Sequence, residues 1–247
     1  MVLVIVLLAG CAPVMQLSAK QVLERSVANL LALKCYRYRG TSSMRVAADA
    51  RLDNDASFDT MLVQNGEGGL DGHMVVKSPG YSYETYSYGG TEYTRVSGSG
   101  LTHTVRGSGY GMVSTGARRV VAEFAALVDD IKMEAETARD FTISMVMGEK
   151  YRLGAVAISA AVNLSGQSAG GSSGGTRMTL VVGKDDLRIK SVIMSVTLCT
   201  AGTTPDVTIT TRGIYSDFNR PAGIEPPPAA LNSPEVSAGS APAIRQF

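Results

Sequence analysis

The sequence predicts an α+β domain, mainly antiparallel β-sheet with two helices. Three observations lead there. The chain combines low charge, 18% Asp, Glu, Lys and Arg, with 27 glycines, 10 tyrosines and many Val, Thr and Ser. Branched and aromatic side chains suit a pleated, half-buried surface. Most of the chain alternates with a period of two between Gly, Pro and Asn clusters at meander spacing, and only two stretches carry a helical period. With 247 residues and 45% hydrophobic content, one domain with a full core is expected. A net charge of +1, no Lys/Arg run and no Trp leave little to neutralise phosphates, so no nucleic-acid partner is expected.

Residues 1–10 are continuously apolar, well short of the roughly 20 that span a bilayer as a helix. They read as the apolar region of a signal peptide. The stretch ends Leu8-Ala9-Gly10-Cys11, which resembles the lipobox of bacterial lipoprotein precursors. The resemblance implies cleavage before Cys11, lipid on its thiol, and anchorage on the non-cytoplasmic side of a membrane, at an outer membrane or the cell surface. Acyl chains on one cysteine suffice for this, since each buried methylene contributes about 0.8 kcal/mol and two chains anchor stably. Residues 11–17 are then a lipidated tether. Cys35 and Cys199 remain. A disulfide between them and two separate packed thiols are both open readings.

Ser18 and Gln21 have capping-box spacing, and Leu23, Val27, Leu30 and Leu31 recur at helical intervals, predicting an amphipathic helix over 18–34. From Tyr36 the pattern becomes alternating: Tyr36, Tyr38, Met44 and Val46, with Arg37, Arg39 and Arg45 between them. That is a first strand with one buried face. Strands are predicted around 58–64 and 73–77. A hairpin over 83–96 turns at Gly89-Gly90 and sets Tyr86 opposite Tyr93. Residues 97–116 read as an irregular crossing loop. Val120, Phe124, Leu127 and Val128 then line a second helix over 117–130. Further strands are predicted over 141–147, 151–162, 177–182, 187–198 and 207–215, with a turn at Lys184-Asp185-Asp186. Residues 166–175 read as a polar loop, and 229–247, rich in Ala, Ser and Pro, as a disordered tail.

Three segments carry a family resemblance: residues 18–40, through Leu33-Lys34-Cys35-Tyr36-Arg37-Tyr38-Arg39-Gly40; Val182-Gly183-Lys184-Asp185-Asp186-Leu187-Arg188-Ile189-Lys190; and Tyr215-Ser216-Asp217-Phe218-Asn219-Arg220-Pro221 through Ile224-Glu225-Pro226-Pro227. With the lipobox, they resemble bacterial lipoproteins of the LolA, LolB and LppX/LprG superfamily. The resemblance covers nearly the whole domain, 18–228. It implies an unclosed half-barrel of antiparallel strands with helices packed on the concave face around an apolar cavity. It also implies acyl chains of lipids or lipoproteins as ligand. The independent reading of the residues gives about nine to eleven strands.

Candidates to line such a cavity are Leu23, Val27, Leu30, Tyr86, Tyr93, Phe124 and Leu127. The alternative is that these residues fill a solid core, leaving a cell-envelope structural or interaction lipoprotein that meets a protein partner. No enzyme, metal or cofactor is expected. The two histidines, His73 and His103, have no His or Cys ligand at metal spacing. Gly171-Ser172-Ser173-Gly174-Gly175 matches G-x-S-x-G but lacks the strand-turn-helix context of a nucleophile elbow. Asp129-Asp130 and Asp185-Asp186 sit where solvated carboxylates are ordinary.

Overall fold

The computed structural model describes residues 17–47, 49–65, 70–89, 91–96, 102–106, 121–122, 125–128, 130–147, 172–199, 207–220, 223–231 and 235–237. The first helix, α1 (Ala19–Ala32), is capped as its sequence specifies. The Ser18 side chain accepts from the Gln21 N–H, and the Gln21 side chain accepts from the Ser18 N–H, at 3.2 and 3.0 Å. Two otherwise unpaired donors of the first turn are thereby satisfied.

The strands are β1 (Cys35–Val46), β2 (Asn54–Gln64), β3 (Leu70–Ser78), β4 (Tyr81–Tyr88), β5 (Thr91–Val96), β6 (Thr102–Arg106), β7 (Asp130–Glu136), β8 (Asp140–Met147), β9 (Ser172–Gly183), β10 (Ile189–Cys199), β11 (Val207–Ser216) and β12 (Glu235–Ser237). They form one sheet in the order β12-β6-β5-β4-β3-β2-β1-β11-β10-β9-β8-β7. Two meanders, β2 to β6 and β7 to β11, are joined through the central strand β1. All pairs are antiparallel except β12 with β6. The sheet does not close, which makes it an open half-barrel with few helices.

The register sorts side chains into two faces. One row of partners on the inner face runs Val76, Phe58, Gly40, Gly213, Val192, Leu180, Ile143 and Met133 across eight strands. The next row contains Met194, Met178 and Met145. Val22, Leu23 and Leu30 of α1 join these side chains in the core, so the helix covers this face. The outer positions of β1 are Arg37, Arg39 and Arg45, as the alternation requires.

The structure departs from the sequence reading in four places. Residues 102–106 are strand β6, not part of an irregular loop, and the rest of 97–116 lies outside the described residues. Asp130–Glu136 is an unanticipated edge strand, β7, which cuts short the helix predicted to reach 130. Within 117–130, residues 121–122 and 125–127 are helical. Strand β9 begins at Ser172, inside the predicted polar loop. The expected disordered tail contains the end of a helical turn, Pro228–Leu231, and the short strand β12. The predicted strand over 151–162 lies outside the described residues.

Of the two open readings of Cys35 and Cys199, the structure favours separate thiols. Cys35 is a free, buried thiol. Arg37, beside it, pairs with Ser216, whereas Leu198, beside Cys199, pairs with Val207. The two cysteines therefore stand beyond opposite ends of β11, about 40 Å apart at roughly 3.3 Å per residue, where a bridge needs less than about 7 Å. Burial, reinforced by the Asp217 carboxylate, pushes the Cys35 thiol pKa up, so it is a poor nucleophile.

Candidate functional site

The structure brings some of the sequence-predicted lining residues together and separates others. Leu23 and Leu30 are buried at 2% exposure each, and Val27 on the same helix is half-buried against the core. Leu127 is 39% exposed. Phe124, like Cys11 and the whole predicted signal segment, lies outside the described residues.

Tyr86 and Tyr93 are opposite each other, as the hairpin predicts, with Gly89 supplying a positive φ of 53° at the turn. They occupy the outer face, however, away from α1. Met74 and Gly72, on the inner face with Val76, pair with Thr85 and Ser87, so two-residue periodicity turns Thr85 and Ser87 inward and Glu84 and Tyr86 outward. Tyr86 stacks on His73 at 4.3 Å between ring centroids. Its hydroxyl donates to Glu84 Oε1 at 2.8 Å, and His73 Nε2 lies 2.8 Å from the same oxygen. Burial and the Glu84 bond push the Tyr86 phenol pKa up to about 12. Arg37 grips Asp59 with two bonds of 2.7 and 2.5 Å on this face. The Arg37 bonds hold the Asp59 carboxyl below its ordinary range.

The inner face has a different chemistry. At its centre, Tyr215 packs against Tyr38 and Tyr36 with ring centroids 4.6 and 5.6 Å apart, and Tyr38 packs on Phe58 at 5.1 Å. Gly40 and Gly213, cross-strand partners, admit these rings close to the backbone. A Cβ on Gly213 would lie 2.2 Å from the Tyr38 ring, and one on Gly40 2.7 Å from the Phe58 ring. Burial drives the Tyr38 and Tyr215 phenol pKa values well up.

Met44, Phe58, Met74 and Met194 are half-buried apolar side chains packed against the core from inner positions of β1, β2, β3 and β10. Sequence reasoning noted Met44 only as part of the alternation and missed the other three. Their signal was their register with Tyr36 and Tyr38, which single-strand periodicity does not supply. Methionine is flexible and polarisable, suited to an apolar surface that adapts to what it meets.

No charged side chain is among the buried residues described. Two concavities lie elsewhere. One of about 320 Å3 is lined by Asp130, Lys132, Glu134, Ser144, Val146, Arg177 and Thr179. The other, about 510 Å3, sits at the ends of β1 and β2, beside Lys77, Ser78 and Pro79. Among the described residues no group of three His, Cys, Asp or Glu is placed to hold a metal. The arrangement therefore offers apolar contact and neutral hydroxyls.

Among solved structures, the chain is similar to LprF from Mycobacterium bovis, at 15% identity and a TM-score of 0.52, over 85% of this chain and 96% of that one. At that identity the likeness is one of fold. A LolA superfamily protein from Nitrosomonas europaea is also similar, at 8% identity over 87% of this chain and 97% of that one, but its TM-score of 0.31 is too low to argue from. No protein-family model and no curated protein matches the chain. The open half-barrel is thus a fold shared with LprF.

Proposed function

We propose that this chain is a lipoprotein, tethered through lipid on Cys11 to the non-cytoplasmic side of a membrane, that binds a lipid or other hydrophobic ligand non-covalently. The ligand lies on the inner face of the half-barrel, and the protein serves as a carrier or envelope lipid-binding protein rather than an enzyme. One observation supports this reading: the inner face carries the half-buried apolar side chains Met44, Phe58, Met74 and Met194, and no charged side chain is buried among the described residues. Moving hydrocarbon from water onto such a surface contributes about 25 cal/mol per Å2, so an acyl chain needs no other attraction.

A second reading, an interaction lipoprotein with a filled core, is favoured by the burial of Leu23 and Leu30 at 2% exposure each. The two separate by native mass spectrometry of the chain carrying Cys11→Ser, purified from a bacterial host without detergent. The carrier reading expects a bound mass in the phospholipid or glycolipid range. An unliganded mass that persists after incubation with membrane lipid extract would overturn it in favour of the second.

A further inference from the structure

We infer that the Tyr215 hydroxyl is the polar anchor of the inner face, donating a hydrogen bond to the ester carbonyl of a neutral acyl ester. This rests on the carrier reading and deepens it. Tyr215 is 3% exposed near the end of β11 in the middle of the sheet, and its hydroxyl oxygen is buried with no hydrogen-bond partner among the described residues. Buried polar side-chain atoms are bonded in the large majority of cases, so an exception calls for a physical reason. The rings of Tyr38 and Tyr36 flank it. Burial in their company keeps the phenol protonated, which makes it available as a donor.

The surroundings select the acceptor. With no charged side chain among the buried residues described, a carboxylate or phosphate drawn to this depth would be desolvated without a counter-ion, which is strongly unfavourable. An ester carbonyl is neutral, accepts one phenolic hydrogen bond, and brings hydrocarbon with it. Thr60, a buried hydroxyl paired with Tyr38 on the same face, adds a second neutral polar group nearby. Acyl glycerols fit this chemistry; free fatty acids do not.

The test uses the full chain carrying Cys11→Ser, with phosphatidylcholine vesicles that present either radiolabelled 1,2-dioleoylglycerol or its diether analogue, which lacks the carbonyls. The ester should bind roughly five- to tenfold tighter, the effect of about one net hydrogen bond. Tyr215→Phe should bring the ester down to the diether level and leave the diether unchanged. Isotope-edited infrared spectroscopy of 13C-carbonyl dioleoylglycerol on the chain with Tyr215 intact should show a lowered carbonyl stretch, a readout that does not depend on the variant. Equal binding of both probes, or a preference that survives in Tyr215→Phe, overturns this inference and leaves the carrier reading standing. Failure to take up either probe overturns both.

Discussion

The ring of Tyr38 lies across Gly213 on the neighbouring strand, so close that a Cβ there would meet ring atoms at 2.2 Å. Gly40 does the same for Phe58. The glycine pair lets the central aromatic rings lie down on the sheet. Gly213→Ala should therefore cost about 2 kcal/mol, the scale of overpacking a core, read from the urea unfolding midpoint. Loss of near-ultraviolet tyrosine dichroism should accompany it. An unchanged midpoint would mean the ring has room to move.

Ser18→Ala removes one half of the capping box on α1. The cost should be about 1 kcal/mol, again from the urea midpoint. Lys20→Ala, which breaks a 4.0 Å contact with Glu24 between well-exposed side chains, should change little. If the two variants behave alike, the cap is not what holds the helix start.

Asn219 ties the closing turn to the junction of α1 and β1. Its side-chain oxygen accepts from the Lys34 N–H at 2.8 Å, and its own N–H donates to the Cys35 carbonyl at 2.8 Å. Its φ is 53°, a region that asparagine tolerates better than most residues. Asn219→Ala loses the side-chain bond and strains the backbone, and should cost about 1–2 kcal/mol. Asn219→Gly relieves the strain and should cost less.

Arg37 lowers the Asp59 carboxyl pKa. Because the folded value is below the unfolded one, the resulting stability is fully present above the ordinary carboxylate value of about 4 and is lost as pH falls through the depressed folded value. Both side chains are 36% exposed, so solvent screening limits the effect to about 1 kcal/mol or less. Asp59→Asn should flatten the acid limb of a stability-against-pH curve below about pH 4. An acid limb of unchanged slope would assign it to other carboxylates.

The legible parts of this fold were those written within a few consecutive residues. The Ser18 and Gln21 box, the alternation from Tyr36 to Val46, and the pairing of Tyr86 with Tyr93 each depend on local spacing, and the structure has all three. Which face Tyr86 and Tyr93 occupy depends on the register of β4 against β3 and on where α1 lies, which no local pattern encodes. Strand β7, Asp-Ile-Lys-Met-Glu-Ala-Glu, is built largely from good helix formers. It is a charged edge strand with a register shift between Met133 and Ala135, features that discourage further pairing. The Cys35 and Cys199 separation required the register of three strands. Leu30, a candidate cavity residue from sequence, is buried at 2% exposure. Charge there would threaten folding itself, and half-buried Val27 is the safer probe.

The central claim is that hydrocarbon binds on the inner face. Photo-crosslinking tests it most directly, with a dioleoylglycerol analogue carrying a diazirine in its acyl chain, irradiated with the full chain carrying Cys11→Ser and mapped by peptide mass spectrometry. Adducts should fall on Met44, Phe58, Met74, Met194 or Val27, all half-buried on that side. Adducts confined to exposed apolar residues of the outer face such as Ile193 and Ile214, at 38% and 63% exposure, would contradict the claim.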